Sequence, residues 1–214
     1  MPSKLTIYNG ALSIIGERKL ASLTENREPR YKLDEVWDND FIRRILQMGQ
    51  WNFAKRTVEL DANPAITPSF GYAYGFDKPD DFVRTMGICH DEYFNLPITR
   101  YADEAQSWFC DQETIYVAYV SDDSQWGGDF SLWPPNFTEM AEHYLAMKVG
   151  PRIRGVEINE KTLYALWKRW LAEAKATDAM ESPAKFAPQG GWARSRQGFR
   201  GGNRDRGNRG QLIG

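Results

Sequence analysis

Apolar residues recur every three or four positions in two segments near the start of the chain, residues 4–16 and residues 29–51. This spacing places them on one face of a helix, so each segment is predicted to be an amphipathic helix. Gly16 can end the first helix, because glycine adopts the left-handed conformation found after a helix C-terminus. Pro29 fits the first turn of the second helix. The two helices are expected to pack against each other.

The pattern changes after Trp51. Five short segments rich in β-branched and aromatic residues follow, and Pro, Gly and Asp residues separate them. Such segments predict β-strands, and their shortness indicates a small antiparallel sheet or sandwich. The clearest strand contains Ile115, Val117 and Tyr119, which alternate with the residues between them. The five predicted strands are residues 53–60, 71–76, 82–90, 98–106 and 113–121.

Helical spacing returns at Pro134 and continues to about residue 181. Gly150 and Pro151 are predicted to interrupt or kink the first of these helices, because proline removes a backbone hydrogen bond. Asn159 is predicted to be the N-cap of the final helix, since its side chain can accept a hydrogen bond from the first turn.

The order of these elements predicts an α+β fold that is mainly α. Residues 1–52 and 134–181 are expected to form one helical bundle, and residues 53–133 an inserted small antiparallel β domain. From residue 182 to residue 214 the composition shifts to Gly, Arg, Pro, Gln and Asn. A segment of this composition cannot bury enough apolar surface to fold alone, so an extended Arg/Gly-rich C-terminal arm is predicted.

Charge is distributed unevenly along the chain. From Glu181 onward there are seven basic and two acidic residues, a net charge of +5, whereas the whole chain carries −2. The remaining residues therefore carry −7. An acidic body with a basic arm indicates that the arm has a partner of its own. Three roles stay open for the arm: binding single-stranded nucleic acid by charge and stacking, docking on an acidic protein surface, or solubilising the protein.

Residue types that carry chemistry are present, but they form no recognisable motif. Cys89, His90 and Asp91 are adjacent, yet neighbouring strand residues point to opposite faces, so a catalytic dyad is not expected there. His143 belongs to a different element, and Cys89 and Cys110 are expected to be reduced thiols. Catalytic, metal and cofactor sites are therefore not predicted. Solvated turns and helix faces account for the acidic pairs Asp34-Glu35, Asp80-Asp81, Asp103-Glu104 and Asp122-Asp123.

The first ten residues contain no apolar run long enough for a signal peptide. No stretch of the chain reaches the roughly 20 apolar residues of a membrane span. The protein is therefore expected to be made in a cytoplasm, to be soluble and to have no membrane partner. Aromatic residues make up 14% of the chain, and a surplus of such residues favours a protein with a contact interface in addition to its core.

Four stretches, in order within residues 5–178, resemble the head-to-tail adaptor family of short-tailed bacteriophages, also called tail tubular protein A. In this family a short helix ends in an Ile-Gly-Glu-like turn, and a long helix runs into a Trp-x-Phe-Ala-like junction. A Tyr-x-x-Pro-x-Asp-x-x-Arg-like stretch follows. A strand and a Trp-Pro-Pro motif then lead into an Ala-containing helix. The matching stretches here are residues 12–23, 51–54, 74–84 and 115–137.

The resemblance implies a structural protein of the virion and not an enzyme. It implies a ring of about twelve copies that joins the portal to the tail nozzle, with double-stranded DNA passing through its channel without specific binding. An acidic body that lines this channel would repel the phosphates and let the duplex slide. The ring would be assembled in the host cytoplasm, would lie at the head–tail junction and would serve in DNA ejection.

On this interpretation the C-terminal arm docks on the portal or on a neighbouring subunit. Its arginines would pair with acidic groups, and two aromatic residues would anchor it. The alternative is a nucleic-acid-binding module whose Arg/Gly-rich arm binds RNA or single-stranded DNA. A third class is a small hydrolase that uses Cys89 or an acidic pair. The predicted docking residues are Trp192, Arg194, Arg196, Phe199, Arg200, Arg204, Arg206 and Arg209.

Overall fold

The computed structural model describes residues 2–68, 70–155 and 159–181. This part of the chain has an α+β fold that is mainly α, which confirms the predicted fold class. Its α-helices are α1 (Lys4–Ile14), α2 (Glu28–Asp38), α3 (Phe41–Gln47), α4 (Pro135–Arg154) and α5 (Glu160–Glu181). Its β-strands are β1 (Lys55–Asp61), β2 (Tyr74–Asp77), β3 (Phe82–Cys89), β4 (Ala102–Asp103), β5 (Ser107–Cys110) and β6 (Thr114–Ser121).

Both ends of α1 follow from its sequence. Ser3 is the N-cap, and its side chain accepts a hydrogen bond from the Thr6 N–H at 3.2 Å. Gly16 has a φ of +70°, and the Glu17 N–H then donates to the Leu12 carbonyl at 2.8 Å. This arrangement satisfies a carbonyl of the last helical turn, so the prediction that Gly16 ends the helix is confirmed.

The prediction of one helix over residues 29–51 is wrong. The segment forms α2 and α3, and Asp40 between them has a φ of +54°. Aspartate is among the residues that tolerate this left-handed conformation, so the break needs no glycine or proline. The turn allows the Trp37 ring at the end of α2 to stack on the Phe41 ring at the start of α3, with 4.8 Å between ring centroids.

Gly150 and Pro151 do not interrupt the helix, because α4 continues to Arg154, so that part of the prediction is wrong. A kink at these residues stays a prediction. Pro151 lies in the last turn of α4, where a missing N–H costs one backbone bond near a helix end. The Asn159 prediction is confirmed. Its side-chain oxygen accepts a hydrogen bond from the Lys161 N–H at 3.0 Å, at the start of α5.

The strands form two three-stranded antiparallel sheets, with the orders β1-β6-β3 and β2-β5-β4. The long strand β6 lies in the centre of the first sheet, as its continuous run of β-branched and aromatic residues favours. The sequence pattern missed β5, and only two residues of the predicted strand 98–106 are in a strand, β4. The antiparallel β prediction is otherwise confirmed for the described residues.

The first hydrophobic core contains residues of all five helices. The buried side chains that line it include Leu12, Phe41, Trp51 and Phe137, and Val120 of β6 joins them from one face of the first sheet. The N-terminal and C-terminal helices therefore pack around a common core, to which α4 contributes along most of its length. The helices and both sheets belong to one compact unit, Met1–Ser182.

The second hydrophobic core contains residues of both sheets. Val117 and Tyr119 of β6 contribute from the face opposite to Val120, as the alternation of side chains along a strand requires. Phe76 of β2 and Trp108 of β5 contribute from the second sheet, and both are fully buried. The first sheet thus has a core on each face, one shared with the helices and one with the second sheet.

Candidate interaction surface

A tight hairpin, residues 90–98, follows β3 and carries exposed apolar side chains. The His90 N–H donates to the Leu96 carbonyl at 3.0 Å, and the Ile98 N–H donates to the Ile88 carbonyl at 2.8 Å. The Asp91 carboxylate accepts hydrogen bonds from the backbone N–H groups of Asn95 and Leu96, the shorter at 2.8 Å. The turn is therefore held by its own backbone and by one side chain.

The protonation state of Asp91 fits its role as a hydrogen-bond acceptor in the turn. Burial alone would raise the pKa of Asp91, but the hydrogen bonds from Leu96 and Asn95 outweigh it and hold the pKa below its usual value. The carboxylate stays ionised at neutral pH and continues to accept both N–H groups. This side chain therefore stabilises the turn.

Two side chains of the hairpin, Tyr93 and Leu96, point into solvent with 75% and 61% of their surface exposed. Phe94 between them has a φ of +56°, and the Lys55 ammonium lies 5.6 Å from the centre of its ring. A pre-ordered turn that presents an aromatic and an aliphatic side chain can bind a complementary pocket with little loss of conformational entropy. The hairpin is therefore a candidate protein-docking surface.

The adjacent residues Cys89, His90 and Asp91 do not converge. Cys89 is buried opposite Tyr116 in the first sheet, His90 is exposed, and the Asp91 carboxylate is directed at the turn that follows. The other cysteine, Cys110, is also buried, and burial raises the pKa of its thiol. Both positions are typical of cysteines that pack in a core.

The second histidine, His143, packs within the helical core. Its Nδ1 lies 2.9 Å from the Glu139 carbonyl, and its ring lies against Trp170 with 5.6 Å between ring centroids. These contacts account for its burial on α4. Among residues 2–68, 70–155 and 159–181, no group of three His, Cys, Asp or Glu side chains could hold a metal ion.

Each acidic pair contributes a carboxylate to an ion pair. Burial alone would raise the pKa of Asp81 and of Asp103, but hydrogen bonds from neighbouring side chains outweigh it, so both pKa values lie below the usual range. Such contacts stabilise the fold. The ion pairs are Asp34–Arg30 at 2.6 Å, Asp81–Arg56 at 2.9 Å, Asp103–Lys78 at 2.5 Å and Asp122–Arg43 at 3.2 Å.

Sequence reasoning missed Tyr93 and Leu96, because only the folded turn shows that their side chains are exposed. The spacing of Asp91 and Asn95 around a four-residue turn was the available signal. It also missed Glu142 on α4, which faces a groove of about 500 Å³ between α1 and α4. Nothing in the local sequence distinguishes Glu142 from a solvated glutamate.

The docking residues predicted in the C-terminal arm lie outside the described residues. They are Trp192, Arg194, Arg196, Phe199, Arg200, Arg204, Arg206 and Arg209. No protein-family model matches the chain, and no curated protein matches it. Within the described residues, no helix is both long enough and apolar enough to span a membrane.

Proposed function

We propose that the protein is a structural head-to-tail adaptor of a short-tailed phage. It forms a ring that joins the portal to the tail nozzle and extends the channel through which the DNA passes. It has no enzymatic role. The proposal rests on the resemblance described above, and the packing of the resembling stretches supports it.

The observation that carries the proposal is the position of Trp51. This ring packs edge-on against Phe137 at 4.8 Å, and Trp133 packs edge-on against the same ring at 4.8 Å. The Trp51 indole N–H donates to the Leu46 carbonyl at 3.0 Å. Two stretches that resemble the adaptor family thus meet in one aromatic cluster, although Trp51 and Trp133 are 82 positions apart in the sequence.

A third resembling stretch, residues 74–84, is joined to the same region. The Arg84 guanidinium donates to the Gln47 carbonyl at the end of α3, at 3.1 Å. Asp81 connects the strands of the first sheet through Arg56, Tyr119 and Ser121. Residues of three resembling stretches therefore contribute to the packing of the described residues, which supports the proposal.

A ring needs two different contact surfaces on each subunit, because its interfaces are heterologous. We assign one of them to the 90–98 hairpin, whose Tyr93 and Leu96 would insert into the adjacent subunit. The C-terminal arm would dock on the portal, with Trp192 and Phe199 as anchors and the arginines paired with acidic groups. The net charge of −7 on the remaining residues would keep the channel from binding DNA tightly.

Negative-stain electron microscopy tests the proposal, with the protein imaged alone and mixed with the portal protein of the same phage. Rings that cap the portal are the expected result. A chain shortened by residues 182–214 should keep its circular dichroism spectrum and lose portal binding. If the shortened chain binds the portal normally, the arm is not the portal contact. If no association appears in either sample, the adaptor role is wrong.

The full-length protein also serves to test the nucleic-acid alternative. If the arm binds RNA or single-stranded DNA, the affinity for an oligonucleotide must fall steeply as salt increases, because bound counterions are released. An affinity that is undetectable, or that does not depend on salt, would exclude this alternative.

A further inference from the structure

A small pocket with a basic rim lies where α2 and α3 meet α4. Its volume is about 140 Å³, which is less than the roughly 300–1,000 Å³ of sites for drug-sized ligands, so it suits one small chemical group. Three arginine or lysine side chains and one carboxylate line it, which gives a net charge of +2. The lining residues that matter for its chemistry are Glu35, Phe41, Arg44, Tyr144, Lys148 and Arg152.

The local sequence explains why these side chains come together. Tyr144, Lys148 and Arg152 follow one another at intervals of four residues on α4, so they lie on one face of that helix. Arg44 belongs to α3, and its guanidinium donates to the Asn39 side-chain oxygen, at the end of α2, at 3.2 Å. Helix α4 therefore supplies one wall of the pocket, and the corner between α2 and α3 supplies the other.

Part of the positive charge of the pocket has no counterpart in the protein. Arg152 forms an ion pair with Glu35 at 2.9 Å. Within the described part of the chain, Arg44 and Lys148 form no ion pair, and the Lys148 ammonium lies 5.5 Å from the centre of the Tyr144 ring. The body of the protein carries −7, so two uncompensated cations at one pocket differ from their surroundings. An anion with two negative charges would compensate them.

Two aromatic rings form the apolar part of the pocket. Phe41 is fully buried and Tyr144 is 6% exposed, and their ring centroids lie 6.0 Å apart. The Tyr144 hydroxyl has no hydrogen-bond partner among the described residues. A polar group on such a buried side chain ordinarily has a partner, so this hydroxyl is available as a donor to a ligand. Apolar walls also strengthen the attraction between the cations and an anion, because they lower the local dielectric constant.

We propose that this pocket binds one phosphate group, either as inorganic phosphate or as the end of a phosphate monoester. Such a group carries a charge of about −1.5 to −2 at neutral pH, which matches the two uncompensated cations better than the single charge of a carboxylate. Arg44 would donate to two phosphate oxygens, Lys148 would act as a point charge, and the Tyr144 hydroxyl would donate a further hydrogen bond. This inference does not depend on the adaptor role, since it concerns one molecule without the portal.

Isothermal titration calorimetry of the full-length protein with inorganic phosphate tests the proposal. The pocket variant combines Arg44→Gln with Lys148→Gln, both at exposed positions. It should bind phosphate at least about tenfold more weakly, because charge-assisted hydrogen bonds are lost. The matched control combines Arg100→Gln with Lys161→Gln, which removes the same charge at two exposed positions outside the pocket. It should keep the wild-type affinity, and Tyr144→Phe, which removes only a hydroxyl group, should weaken binding several-fold.

The choice of anion tests the charge of the ligand. Sulfate, a dianion of the same shape, should bind about as well as phosphate, whereas acetate should bind at least several-fold more weakly. Glycerol phosphate distinguishes the two sources, since tighter binding than that of inorganic phosphate would identify a monoester as the ligand. Circular dichroism checks that each variant is folded.

Three outcomes would overturn the proposal. The first is that the wild type shows no binding at millimolar phosphate, and the second is that the pocket variant and its control are weakened equally. The third is that the pocket variant loses affinity for a duplex oligonucleotide and not for phosphate, because the basic rim would then contact the DNA backbone and not a single phosphate group.

Discussion

Glu142 is a half-buried carboxyl group in a groove between two helices. It lies on α4 against the backbone of Gly10 on α1, where a Cβ would collide with the carboxyl group. Burial, together with the charge of nearby Glu139, raises the pKa of Glu142 to about 7, although Lys19 opposes the shift. Its neutral form is therefore favoured in the folded protein.

We predict that Glu142→Gln stabilises the protein at pH 8 but not at pH 4. The wild type is expected to lose stability as pH rises from 4.5, the ordinary glutamate value, through about 7, because folding then opposes ionisation. The glutamine variant has no such loss. Since solvent screens a half-exposed group, we expect a difference of about 1 kcal/mol in the free energy of unfolding at pH 8.

Urea denaturation at pH 4 and pH 8 measures this difference. Glu173→Gln on the exposed face of α5 is the matched control, and it should show no such dependence on pH. An effect of Glu142→Gln that is equal at both pH values would contradict the assignment of a raised pKa to this group.

Gly49 is required because the Trp51 ring lies too close to its backbone for a side chain, and not because of its backbone conformation. A Cβ at this position would lie 2.7 Å from Cε2 and Cζ2 of Trp51. The Trp51 ring cannot move away easily, because its N–H is bonded to Leu46 and the ring packs on Phe137. We predict that Gly49→Ala lowers the free energy of unfolding by about 1–3 kcal/mol through overpacking.

Thermal and urea unfolding of Gly49→Ala test this, with Gly87→Ala on β3 as control. A Cβ at Gly87 meets no atom within 4 Å, so this change should be close to neutral. Equal effects of the two substitutions would show that lost glycine flexibility, and not the contact with Trp51, determines the result.

At the scale of elements, Asp81 connects the three strands of the first sheet. It precedes β3, and its carboxylate accepts hydrogen bonds from Arg56 on β1 at 2.9 Å and from Tyr119 on β6 at 3.1 Å. Ser121 on β6 also donates to it. One carboxylate thus links β3 to both of the other strands. Burial raises the pKa of Tyr119, and the contact with Asp81 raises it further.

We predict that Asp81→Asn lowers the free energy of unfolding by about 2–3 kcal/mol at pH 7, because hydrogen bonds to a charged acceptor are lost. The pKa of Asp81 is lower when folded, so its contribution is present above the usual carboxyl value and is lost as pH falls through the folded value. The effect should therefore shrink in acid. Urea denaturation across pH 2–7 measures it, and the exposed Asp80→Asn is the control.

Elements with a long periodic pattern were predictable, because apolar spacing directly reports the buried face of a helix. This holds for α1, α4 and α5. The break between α2 and α3 was not predictable, because Asp40 adopts its left-handed conformation without any glycine or proline signal. A strand of four residues is too short to show a period, so β5 was missed and β2 was predicted only as part of a longer segment, residues 71–76.

Contacts between residues that are distant in sequence were less predictable than the helices and strands. The convergence of Arg56, Asp81 and Tyr119 depends on strand order, and a linear pattern contains no information about it. The hydrogen bonds between Asn52 and Asp178 likewise need α5 to return to the residues that follow α3. Only the residues of the turn that supports the 90–98 hairpin are close in sequence.

At the scale of the whole molecule, charge and apolar contacts have different roles. The acidic residues before Glu181 outnumber the basic ones, and the segment from Glu181 onward is basic. Like charges on neighbouring acidic bodies repel each other, so a ring of this protein needs apolar contacts to hold its subunits together. The exposed side chains of the 90–98 hairpin are suited to supply them.

We predict that Tyr93→Ser combined with Leu96→Ser weakens ring formation without unfolding the protein. Both side chains are mostly exposed, so their loss should leave the melting temperature within a few degrees of the wild type. Loss of two anchor residues at each interface should raise the protein concentration needed for assembly at least about tenfold. Negative-stain images over a concentration series, with and without portal, measure the change.

Phe70→Ser provides the matched control, because Phe70 is 88% exposed but belongs to the connection between β1 and β2. If general surface hydrophobicity drives assembly, this variant and the hairpin variant should be impaired alike. If the hairpin forms the contact between subunits, only the hairpin variant should be impaired in ring formation. High salt should then favour wild-type rings, because it screens the repulsion between the acidic bodies of neighbouring subunits. Wild-type assembly by a folded hairpin variant would place the subunit interface elsewhere on the molecule.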